Sequence, residues 1–90
     1  MPKFSLGQVL ATPGALAALQ EAQDCFWPYL ARHAAGDWGE VGREDKAENE
    51  LSLREGFRIL SAYTIKSGVK IWVLTERDRS VTTILLPEQY

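Results

Sequence analysis

Ninety residues, 46% hydrophobic and 24% charged with a formal charge of −2, describe one globular domain over residues 1–90 with one modest core, and they exclude a disordered chain. Three Lys/Arg against six Asp/Glu in residues 1–45, and seven against six in 46–90, lack the basic excess that phosphate binding uses. One Cys and one His allow no internal disulfide and starve a metal site, and no run approaches the roughly 18 apolar residues of a spanning helix, so we expect a cytoplasmic protein with no membrane contact.

In chain order, "KFSLGQVLAT" alternates loosely and predicts a short strand with Gly7 as a bulge. "TPGALAALQEA" predicts a helix, because Thr12 can accept from the first free amides and Pro13 loses nothing at the first helical position. Leu16, Leu19 and Ala15, Ala18 and Ala22 give it a narrow apolar face. "DCFWPYLARHAAG" predicts a second helix with Leu30 and Ala34 inward and Gly36 ending it. Trp27 and Tyr29 on that helix either cover the edge of the core or form an exposed aromatic patch.

"GREDKAENELSLREG" predicts a third helix from about Arg43 to Glu55, stopped by Gly56. Of its residues, Ala47, Leu51 and Leu53 are the ones expected to face a core. "FRILSAYTI", "VKIWVLTE" and "SVTTILLP" are rich in β-branched and aromatic residues and joined by the short "KSG" and "RDR", which predicts a three-stranded meander. Alternation puts Ile71, Val73 and Thr75 on one face and Trp72, Leu74 and Glu76 on the other; in the preceding strand Phe57, Ile59, Ser61 and Tyr63 oppose Arg58, Leu60, Ala62 and Thr64. Both faces carry apolar residues, so helices are expected on one and a contact surface on the other, with Trp72 or Tyr63 on it depending on register.

The segment "RHAAGDWGEV" gathers the polar residues most suggestive of chemistry. His33 and Asp37 form an acid/base candidate, to which Glu76 could add a second carboxylate. Against this, His33 falls in the last turn of its helix, where the carbonyl end favours a cation and raises its pKa, and Asp37 after Gly36 suits a turn. Trp38 suits a plug between helix and sheet better than a partner anchor. The acidic run Glu40, Glu44, Asp45, Glu48 and Glu50 lacks the spacing of a calcium loop and suits a solvated helix face. Cys25 and Ser80 lack a nucleophile motif, no glycine-rich phosphate loop is present, and we expect no cofactor.

Two contact surfaces remain. Trp27, Tyr29 and Trp72 with the hairpin residues Arg77, Asp78 and Arg79 offer a protein-binding surface. Arg58, Lys66, Lys70, Arg77 and Arg79, with Trp72, offer an alternative surface for single-stranded nucleic acid, weakened by Glu76 and Asp78.

Gly36, Asp37, Trp38 and Gly39, then Asn49, Gly56, Arg58 to Ser61 and Tyr63, then Trp72, Thr75, Glu76, Asp78 to Ser80, Thr82, Thr83, Leu85 to Pro87 and Tyr90 carry a resemblance. Over nearly its whole length the chain resembles a family of small bacterial proteins encoded on plasmids and other mobile elements. Some members are labelled type I restriction methylase subunits, a label that ninety residues without a glycine-rich cofactor loop do not support here. "QDCFWPYL" departs from the family by placing Trp27, in place of a polar residue, before the proline. The resemblance implies an accessory role on mobile DNA and supplies no catalytic residue.

The expectation is therefore an α+β domain in which an N-terminal strand and two to three helices pack on a C-terminal three-stranded antiparallel meander, with the first strand a candidate for the sheet edge. Its expected role is non-enzymatic contact with a protein partner, with host restriction or CRISPR machinery as the candidate target. A nucleic-acid module and a small enzyme using His33 and Asp37 are the alternatives, and self-association is left open.

Overall fold

The computed structural model describes residues 2–90. Four strands, β1 (Gln8–Ala11), β2 (Ile59–Thr64), β3 (Lys70–Thr75) and β4 (Val81–Leu85), form one sheet, and three helices, α1 (Pro13–Glu21), α2 (Trp27–Ala34) and α3 (Arg43–Glu55), lie between the first strand and the second. The architecture is α+β, as expected. β2, β3 and β4 make the antiparallel meander, and β1 joins it on the far side of β4, parallel to it, giving the order β1-β4-β3-β2.

Local chemistry explains the helix ends. Thr12 accepts from the Ala15 amide at 3.1 Å and Pro13 follows it, so α1 starts where a free amide is satisfied and a missing one is harmless. α3 spans the expected residues and stops at Gly56, which is left-handed with φ 78. α2 starts without a side-chain cap at Phe26; the nearby Asp24 instead bonds the Cys25 amide, the Lys66 amide and the Tyr29 hydroxyl, tying the helix entry to the β2–β3 turn.

One face of the sheet carries the core. Tyr63, Ile71, Val73 and Ile84 meet Ala15 and Leu19 of α1 and Leu30 of α2. On the opposite face Ala62, Leu74 and Leu85 are buried as well, and a C-terminal 3₁₀ turn, Pro87–Gln89, lies beside them with Tyr90, whose ring packs on Trp72 at 5.4 Å.

Three expectations need correcting. β1 is shorter than the alternation suggested: Phe4 and Leu6 precede it, and Gly7 is no bulge but an entry point. With φ 64, Gly7 brings the chain so close to the hairpin that a Cβ would lie 2.3 Å from the Ser80 carbonyl. Leu16 is exposed and Ala15 and Leu19 are the buried side of α1.

The inner side of α3 is also not the apolar one. Ala47 and Leu51 are exposed, whereas Asn49 and Ser52 are buried. α3 runs along the outer edge of β2, where backbone groups need partners. Asn49 donates to the Leu60 carbonyl at 2.7 Å and accepts from the Leu60 amide at 3.1 Å. Two residues on, the Ala62 amide donates to the Trp38 carbonyl and its carbonyl accepts from the Glu40 amide. An amide side chain and a loop thus close that edge as another strand would.

Candidate functional site

The polar segment around His33 is a structural lock. His33 is 0% exposed and sits against Phe4 and Trp38, with ring centroids at 5.2 and 6.0 Å. Nδ1 lies 2.6 Å from the Ser61 hydroxyl on β2 and Nε2 2.9 Å from the Thr75 hydroxyl on β3; Thr75 in turn lies 2.7 Å from the Thr82 hydroxyl on β4.

The direction of these bonds follows from the last of them. Thr82 donates its only hydroxyl proton to the Leu6 carbonyl at 2.7 Å, so Thr75 donates to Thr82. Nε2–H then donates to Thr75, and bare Nδ1 accepts from Ser61. The imidazole is neutral with its proton on Nε2, and burial, aided by the Arg79 guanidinium, pushes its pKa down to about 4. The expected upward push from the helix end is overridden by desolvation.

The catalytic alternative does not assemble. Asp37 bonds the Arg32 guanidinium at 2.7 Å, which holds its carboxyl below the usual range, and it also accepts from the Gly39 amide. Thr75 points to the covered face, so Glu76, the next residue, belongs to the other. Trp38 is the plug the sequence suggested: it is buried, stacks on Phe4 at 6.3 Å and donates to Glu50 at 2.8 Å. Among the described residues no group of three His, Cys, Asp or Glu side chains is arranged to hold a metal ion, and no helix is long and apolar enough to cross a membrane.

The five cations of the nucleic-acid surface are split. Lys66 and Lys70 sit at the β2–β3 turn, and Lys70 pairs with Glu40 at 3.6 Å. Arg58, Arg77 and Arg79 lie at the other end of those strands, about 20 Å away for strands of this length. Arg79 is turned inward: it donates to the carbonyls of Ser52 at 2.8 Å, Phe57 at 2.6 Å and Glu76 at 3.1 Å, and its guanidinium lies over the Phe4 ring. It clamps the hairpin to the end of α3 from a left-handed backbone with φ 62.

The protein-binding candidates divide as well. Trp27 is 61% exposed at the start of α2, packed on Phe26, while Tyr29 is partly buried against Tyr63. Burial and Asp24 push the Tyr29 hydroxyl up to about 12. Trp72 lies on the opposite face of the sheet, and Arg77 and Asp78 stand exposed at the hairpin tip, where Ser80 holds the Asp78 carboxyl below its usual range.

The uncovered face gathers its own set. Trp72 packs on Tyr90, whose hydroxyl accepts from Arg58 at 3.2 Å. Beside Trp72, a groove of about 300 Å³ runs over Leu60 and Ala62 between Pro87 and the Val41–Gly42 turn. Sequence reasoning did not place Tyr90 on a contact surface, and it left open whether Trp72 or Tyr63 lay on the face without helices; the structure puts Trp72 there and Tyr63 in the core. Comparison of the chain with protein-family models, with curated proteins and with solved structures finds no match.

Proposed function

We propose that the chain is a non-enzymatic accessory protein of mobile genetic elements that acts by binding another protein through the uncovered face of its sheet. The observation that carries this reading is the strip Trp72–Tyr90–Arg58 beside an open groove floored by Leu60 and Ala62 and flanked by Glu40, Asp45 and Lys70. Trp, Tyr and Arg are the residues on which binding energy concentrates when a partner excludes water. The resemblance to plasmid-borne proteins supports the setting, and it directs attention to host restriction or CRISPR machinery as the partner. Dispersal of the five cations and the modest negative charge argue for a protein partner over nucleic acid.

The test is affinity capture from a bacterial host with the unchanged chain and with Trp72→Ala. A host protein retained by the first and lost by the second is the expected result. Salt-sensitive gel shifts on DNA or RNA at comparable affinity would replace this reading with the nucleic-acid one.

A further inference from the structure

The two edges of the sheet are treated differently. The β2 edge is closed by Asn49 and by residues 38–40. Among the described residues no strand pairs with the β1 edge. Gln8 and Thr12 donate to Ser80 and Ile84, so the N–H and C=O groups of Val9 and Ala11 point away from β4, and among the described residues none of these groups has a hydrogen-bond partner.

Apart from its shortness, four residues, β1 lacks the usual protections of an edge. Natural edges are blunted by charges, proline or bulges. Residues 4–20 contain no Asp, Glu, Lys or Arg, and Leu10 in the middle of the strand is 45% exposed. α1 continues this uncharged surface, with Leu16, Ala17 and Gln20 exposed.

We propose that β1 pairs with β1 of a second copy of this chain, antiparallel about a two-fold axis at Leu10, making one continuous sheet across both protomers. The pairing follows from which groups are free. With Leu10 opposite its own mate, Val9 of each protomer faces Ala11 of the other, and such a pair exchanges both of its N–H···O bonds. Every outward group of Val9 and Ala11 is then satisfied by the same groups of the second copy, a self-complementary patch of the kind two-fold dimers use. The Leu10 side chains meet as a close cross-strand pair on the uncovered face, and the α1 helices flank the axis on the other.

The experiment is sedimentation velocity over a concentration series from micromolar to millimolar, with amide exchange followed by NMR on the same samples. The expected result is a monomer–dimer equilibrium in which the Val9 and Ala11 amides slow as the dimer fills. Leu10→Lys, which sets like charges opposite each other, is expected to leave only monomer, and Ala17→Glu, on an exposed helix position, to weaken the dimer. Circular dichroism would establish that both variants fold. A wild-type chain that stays monomeric throughout overturns the proposal. So does a dimer that survives Leu10→Lys while the Val9 and Ala11 amides exchange as in the monomer. Because Trp72 lies strands away from this edge, loss of the dimer and loss of the host partner are separable outcomes.

Discussion

The covered and uncovered faces of the sheet come from the same strands but spend their residues differently. The covered face buries Ile71, Val73 and Ile84 under Leu30 of α2 and still accommodates a polar chain, Ser61, His33 of α2, Thr75 and Thr82, because each bonds the next. The other face buries Ala62, Leu74 and Leu85 and leaves an aromatic pair, an arginine and a groove beside the C-terminal 3₁₀ turn, with no α-helix among the described elements packed across them. A buried polar group is tolerated only where its partner is fixed, so the first face is specified in detail, whereas the second leaves its contacts to be completed from outside.

Truncating the covered face should cost most. Leu30→Ala, at 1% exposure, is expected to lower unfolding free energy by about 2–5 kcal/mol, measured by urea titration. His33→Phe keeps a ring but strands the Ser61 and Thr75 hydroxyls, for an expected loss of about 2–3 kcal/mol at neutral pH.

The same residue sets a pH dependence. Unfolded, His33 titrates near 6.5; folded, near 4. Between those values the unfolded chain takes up a proton that the folded one refuses, so stability declines as pH falls from 6.5 to about 4, by about 3 kcal/mol in all. The carboxyls of Asp24, Asp37, Glu40 and Asp78, all held below their ordinary range, add a further loss at lower pH. Urea titrations at a series of pH values should show the upper decline in the natural chain and its absence in His33→Phe. An equal decline in both would remove the neutral-histidine assignment.

Arg79→Lys keeps the charge but not the fork that reaches Ser52 and Phe57 together, and should cost about 1–2 kcal/mol by the same measurement. Trp72→Ala lies at the small end, with an expected loss of less than about 1.5 kcal/mol in stability, far below that of Leu30→Ala. Its effect belongs in the capture experiment. A large stability loss there would mean that the uncovered face is core after all.

Much of the fold was legible. The bounds of α3 followed from its good helix formers and Gly56, and the meander from β-branched runs with short connections. The sorting of β2 and β3 residues into two faces followed from period two, but which face turned inward did not, because both carry apolar residues. What escaped has physical reasons. Hydrophobic periodicity assumes that a helix buries apolar residues, and it misplaces Asn49 and Ser52 because α3 meets a strand edge, where the need is for hydrogen bonds. His33 looked like a helix-end residue because its partners come from two strands distant in sequence. Ser61 and Thr75 at inward positions were the available hint, since inward hydroxyls require a buried polar partner. Arg79 looked like solvent charge on a turn; only the docking of α3 beside the hairpin shows what its donors reach.

The parallel pairing of β1 with β4 has a consequence for assembly. Gln8 registers with Val81, so the earliest strand has no place in the sheet until the latest is made. The meander and its helices are local enough to form ahead of it, but β1 docks only after closure of a loop nearly as long as the chain. During synthesis the uncharged approach and strand, residues 4–11, therefore wait unpaired, and refolding yield at high concentration should fall as that interval lengthens.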